Sequence, residues 1–70
     1  MSKARDPILL VILERLWAAE DGLIEELQQK EQYSESQYAL LKLVRLHTND
    51  AITLIDSIRY ESQLADTQIN

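Results

Sequence analysis

Seventy residues with no cysteine and one histidine leave no disulfide framework, no cysteine-based zinc site and a poor basis for any structural metal. The formal net charge is −5. The seven Lys and Arg residues (Lys3, Arg5, Arg15, Lys30, Lys42, Arg45 and Arg59) are scattered, which argues against the phosphate-neutralising patch of a nucleic-acid binder. A chain this short builds a core worth only a few kcal/mol, so the staple that remains is self-association or a larger partner.

Composition points to helix. Leu, Ile, Ala, Glu and Gln dominate, and there is one Gly (Gly22), one Pro (Pro7) and no Phe. At the N-terminus, Lys3 and Arg5 precede the apolar run Ile8–Leu13, a pairing reminiscent of a signal peptide. Asp6 stands before the run, Glu14-Arg15 interrupts it, and no small-residue cleavage site follows. No stretch approaches the ~20 apolar residues of a membrane span. The expectation is a soluble, cytoplasmic protein with no membrane partner.

The first helix is expected over about residues 7–32, with Asp6 as N-cap and Pro7 at the first helical position. Gly22 falls inside it and reads as an exposed, tolerated glycine, or else as a close helix contact. The joint is "EQYSESQY", residues 31–38. Ser34 and Gln37 have the spacing of a capping box, and Tyr33 and Tyr38 that of a hydrophobic staple. Both signals start a second helix at about residue 35, running to 64, with residues 65–70 as a frayed tail. One unbroken helix of ~60 residues is the alternative, and it would need a sustained coiled-coil seam.

Apolar spacing gives the fold class: all-α, an antiparallel two-helix hairpin. Helix 1 offers Leu9, Ile12, Leu13, Leu16, Leu23 and Leu27; helix 2 offers Leu40, Leu41, Val44, Ala51, Leu54, Ile55 and Ile58. A turn near residues 33–34 pairs Leu27 with Leu40, Leu23 with Val44, Leu16 with Ala51, Leu13 with Leu54 and Leu9 with Ile58. The one polar layer in that register is Glu20 opposite His47, with Thr48 beside them. It reads as a register-fixing hydrogen bond. A pH-sensitive switch, a metal site and acid–base catalysis are the sharper readings. The Glu-x-x-His spacing of di-iron bundles is missing, because Val44 stands three residues before His47.

The hairpin does not use all of the apolar run. Ile8, Leu10, Val11 and Trp17 are surplus on helix 1, as are Leu43, Leu46 and Ile52 on helix 2. Such surplus marks an interface. Two hairpins dimerising into a four-helix bundle would absorb much of it. A larger protein partner would dock through an apolar-aromatic patch for which Leu10, Trp17, Tyr33, Tyr38, Arg45 and Tyr60 are the candidates, since Trp, Tyr and Arg anchor interfaces most often. Glu14, Asp21 and Glu25, with Glu26 and Glu31 nearby, form an acidic face that either keeps the protein soluble or meets a basic surface, such as the DNA-binding region of a regulator.

The chain has no Gly-rich phosphate loop, metal-ligand cluster or nucleophile–base arrangement, so no enzyme activity and no cofactor are expected. The hairpin outline and the stretch "SQYALLKLVRLHTNDAITLIDSIRY" resemble, in general pattern, the co-chaperones of type III secretion needle subunits. Bacterial and phage anti-activators built from a helix pair are similar in the same general way. The residues therefore lead to a small acidic protein-binding regulator of inhibitor, anti-activator or adaptor type. The resemblance to co-chaperones implies an alternative, a structural subunit or co-chaperone of an assembly.

Overall fold

The computed structural model describes the backbone of residues 5–68 and the side chains of residues 5–64. Two helices, α1 (Asp6–Leu27) and α2 (Glu35–Gln68), are joined through a short 3-10 turn, Lys30–Gln32. The chain is an all-α helical hairpin. It is a rod of 56 × 15 × 12 Å with a radius of gyration of 16.2 Å. A globule of this length would have a radius of gyration of roughly 11 Å.

The start of α2 follows from its sequence. The Ser34 N–H donates to Gln37 Oε1 at 3.0 Å, and the Gln37 N–H donates to Ser34 Oγ at 3.1 Å. This reciprocal capping box satisfies two backbone donors that a helix end leaves open. Along α2, Thr48, Thr53 and Ser57 donate their hydroxyls to the carbonyls of Val44, Asn49 and Thr53, one turn earlier. That bonding holds polar residues inside a 34-residue helix.

Three boundaries differ from the sequence expectation. Asp6 is not the N-cap of α1: Arg5 holds that position, with no side-chain cap. The Asp6 carboxylate is engaged instead by Arg59, whose Nε and Nη2 donate to Oδ1 and Oδ2 at 3.0 and 3.2 Å. α1 ends at Leu27, not near residue 32. Its last turn tightens through Gln28 N–H to Glu25 O and Gln29 N–H to Glu26 O, and Gln29 then leaves helical geometry at φ −97°, ψ 45°. The Tyr38 hydroxyl meets the Leu27 carbonyl at 2.7 Å, so a long-range bond supplies a stop signal that local composition lacks. α2 runs on to Gln68, past Leu64, since no Gly or Pro interrupts the segment expected to fray; residues 69 and 70 lie outside the described part.

The ties Asp6–Arg59 and Leu27–Tyr38 lie at opposite ends of the hairpin and fix it as antiparallel. Between them α1 turns Leu9, Leu13, Leu16, Glu20, Leu23 and Leu27 inward, and Leu13 is fully buried at 0% exposure. On α2 the inward face is Tyr38, Leu41, Thr48, Ala51, Ile52, Ile55, Arg59 and the buried Ser62. This corrects the expected pairing. Leu41, Ala51 and Ile55 do face α1, but Leu40, Val44, Leu54 and Ile58 are exposed, Leu40 at 60% and Leu54 at 65%. On α1, Ile12 is exposed too. The lengthwise register is within a few residues of the expected one, whereas α2 is turned by roughly 60° about its own axis at 100° per residue. Large leucines of α1 thereby face the small side chains of Thr48 and Ala51, which interdigitates better than leucine against leucine.

Gly22 sits on the outer side of α1, and a Cβ built there has nothing within 4 Å. The exposed, tolerated reading holds. Gly22→Ala should therefore stabilise the fold by about 1 kcal/mol, seen as a rise in Tm of several degrees in a circular-dichroism melt.

The Asp6–Arg59 pair carries a pH signature. Its hydrogen bonds from Arg59 hold the Asp6 carboxyl below its ordinary 3.8, against a smaller opposing effect of burial. A group whose folded pKa is depressed adds stability above its unfolded value and loses it as pH falls through the folded value. Wild type should thus lose stability below about pH 3.8 more steeply than Asp6→Asn, and the gap between the two Tm values should narrow as the pH falls.

Candidate protein-binding face

Side chains one helical face apart sort the outside of the hairpin into two sides. In an antiparallel pair, positions displaced the same way around each helix from the buried stripe fall on the same side of the pair. One side holds Leu10, Trp17, Glu14, Asp21 and Glu25 of α1 together with Tyr38, Lys42, Arg45, Asn49 and Tyr60 of α2. The other holds Ile8 and Ile12 together with Leu40, Val44, Leu54 and Ile58.

The first side carries most of the residues singled out for partner binding. Trp17 is 46% exposed and Tyr60 62%, Arg45 is exposed, and Leu10 is half-buried. Glu14, Asp21 and Glu25 are exposed beside Trp17 and rim this side along α1. Two open grooves run along α2. One, nearer the turn, is lined by Leu27, Tyr38, Lys42, Arg45, Leu46 and Asn49. The other, nearer the termini, is lined by Ile52, Thr53, Asp56, Ser57, Tyr60 and Glu61.

The tyrosines divide by task. Tyr38 is half-buried, its hydroxyl bound to the Leu27 carbonyl, and it still shows a ring face to the first groove. Tyr33 is drawn to the end of the hairpin, where its hydroxyl donates to Glu26 Oε1. That bond to a carboxylate raises the Tyr33 pKa above its ordinary 10.0. The side chain joins the turn to α1 and stands apart from the Trp17–Tyr60 side. So the two tyrosines expected to staple the turn both reach α1 through their hydroxyls.

A cationic feature escapes the linear sequence, in which the basic residues look scattered. Folding sets the Lys30 Nζ 5.7 Å and the Lys42 Nζ 5.4 Å from the centre of the Tyr38 ring, so two ammonium groups lie close to one aromatic ring. Lys42 and Arg45 together line the groove nearer the turn. The Tyr38–Lys42 spacing of four residues was the available signal, but Lys30 comes from across the turn.

The expected Glu20–His47 layer does not form. Asn49 Nδ2 donates to Glu20 Oε2 at 3.2 Å, and His47 is exposed. The turning of α2 moves His47 away from α1 and carries Asn49 toward it. Among the described residues no cluster of three or more His, Asp or Glu side chains is placed to hold a metal ion. No helix among them is long and apolar enough to cross a membrane.

Replacing Tyr38 by Phe keeps the ring beside the two lysines and removes only the bond to Leu27. The expected loss is about 1 kcal/mol in chemical denaturation with little change in helical content. The chain matches no protein-family model, no curated protein and no solved structure.

Proposed function

We propose that this chain is a small cytoplasmic protein-binding regulator, of inhibitor, anti-activator or adaptor type. It works as a homodimer and docks a larger protein through the side bearing Trp17, Arg45 and Tyr60. The observation that carries this reading is Trp17 lying 46% exposed on the same side as Arg45 and Tyr60. The hairpin core is complete without them, and Trp, Tyr and Arg are the side chains that most often dominate binding energy once a partner buries them. The flanking carboxylates Glu14, Asp21 and Glu25 would steer a basic surface toward this side, an effect that salt screens.

The test is a tagged capture from host lysate, washed at low and then high salt, with wild type run beside Trp17→Ala/Tyr60→Ala. Wild type should retain a stoichiometric protein larger than itself, and the double variant should lose it by tenfold or more. Charge reversal at Glu14, Asp21 and Glu25 should weaken retention more at low salt than at high salt. Equal recovery by wild type and the double variant would overturn the assignment of this side. Recovery of a still smaller helical subunit would favour the assembly co-chaperone.

A further inference from the structure

The side opposite Trp17 is mainly aliphatic, and α2 carries along it an apolar repeat that only His47 interrupts. Leu40, Val44, His47, Ala51, Leu54 and Ile58 follow one another at spacings of four, three, four, three and four. That is the seam of a coiled coil, yet the hairpin leaves Leu40, Val44, Leu54 and Ile58 exposed. Ile8 and Ile12 of α1, both exposed, lie nearly level with Ile58 and Leu54, in the register set by the Asp6–Arg59 pair.

We propose that this aliphatic side is where a second copy of the chain packs, with the two α2 helices antiparallel about a twofold axis at the level of Asn49. The proposal rests on the homodimer reading above and adds the face and the orientation.

Two observations point to a second copy, and the second of them also gives the orientation. The first is surface area. The chain exposes 5444 Å², where a compact monomer of 8.1 kDa exposes roughly 4,500 Å². The excess of roughly 900 Å² is close to the ~800 Å² per partner that a stable interface buries. The second is symmetry. The spacing reads the same in both directions about residue 49, so an antiparallel pair sets Leu40 of one copy on Ile58 of the other. In the same way Val44 meets Leu54, and His47 meets the small Ala51. Identical patches that complement themselves are what a twofold interface requires. Parallel stacking would instead set the two His47 rings on each other in one layer, where the antiparallel arrangement sets each against Ala51. The aliphatic character of Ile8, Ile12, Leu40, Val44, Leu54 and Ile58, all exposed, also suits a homodimer, whose interfaces are more apolar than transient ones.

The full-length chain tests this in two steps. Sedimentation equilibrium from ~1 to ~100 μM should give a dimer for wild type. Leu54→Asp should raise the dimer dissociation constant about 100-fold or more, because twofold symmetry counts each substitution twice. Leu54 is exposed in the hairpin, so helical content by circular dichroism should persist. The chain has no native cysteine, so disulfide trapping then reads the orientation cleanly. Val44→Cys mixed with Leu54→Cys under oxidising conditions should give the crossed heterodimer, identified by mass. Val44→Cys alone should not link to itself, since antiparallel packing separates its two copies by ~15 Å along the axis.

A wild-type monomer that is still cooperatively helical would overturn both the homodimer reading and this inference. A dimer indifferent to Leu54→Asp, without the crossed disulfide, would overturn the face alone and leave the homodimer standing. Self-linked Val44→Cys would overturn the antiparallel orientation alone.

Discussion

The bidentate pair of Arg59 on Asp6, at one end of the hairpin, and the Tyr38 hydroxyl on the Leu27 carbonyl, at the other, hold α2 at one rotation about its axis. That rotation decides which of two neighbouring stripes of α2 faces α1. Had α2 stood with Leu40, Val44, Leu54 and Ile58 inward, the apolar layers would have been nearly continuous. Tyr38 and Arg59 would then have lost their partners on α1. With the observed rotation, Thr48 and Ala51 give the α1 leucines room for close contact, and the stronger apolar stripe is left on the outside.

From that rotation follows a molecule with two unlike sides. Two helices packed on each other bury one stripe apiece, and in this hairpin Leu13 is the only hydrophobic side chain fully buried among the described residues. A chain of this size cannot derive much stability from so thin a core. The aliphatic side is suited to permanent burial, because only His47 interrupts its exposed seam. The aromatic and charged side is different: Trp17, Arg45 and Tyr60 stand among carboxylates and grooves that remain satisfied when solvated. The proposed division, self-association through the first and partner binding through the second, assigns each side the contact its chemistry tolerates.

The Glu20 layer shows how finely the polar positions depend on rotation. A residue with a side-chain carboxylate inside an apolar stripe needs a donor, since an unpaired buried acceptor is costly. His47 and Asn49 are both within reach in sequence and lie on opposite flanks of the inward stripe. The rotation brings in Asn49, and His47 passes to the aliphatic side, where it is the one polar residue of the exposed seam.

By itself the sequence determined the helical class, the hairpin and the start of α2. Those features rest on local chemistry: good helix formers throughout, and Ser34 and Gln37 at capping-box spacing, whose reciprocal bonds form as the spacing requires. It also marked Trp17, Arg45 and Tyr60 as more than a two-helix core can use. Only the tertiary structure decided where α1 stops, which stripe of α2 turns inward, what Asp6 and Glu20 bind, and how Lys30 and Lys42 gather on Tyr38. The physical reason is the same for the inward stripe of α2 and for what Asp6 and Glu20 bind. Period-3.6 patterning locates an apolar face to within a broad arc, and α2 has two adjacent arcs that qualify. The choice between them is made by bonds between residues far apart in the chain, which no local window of the sequence contains.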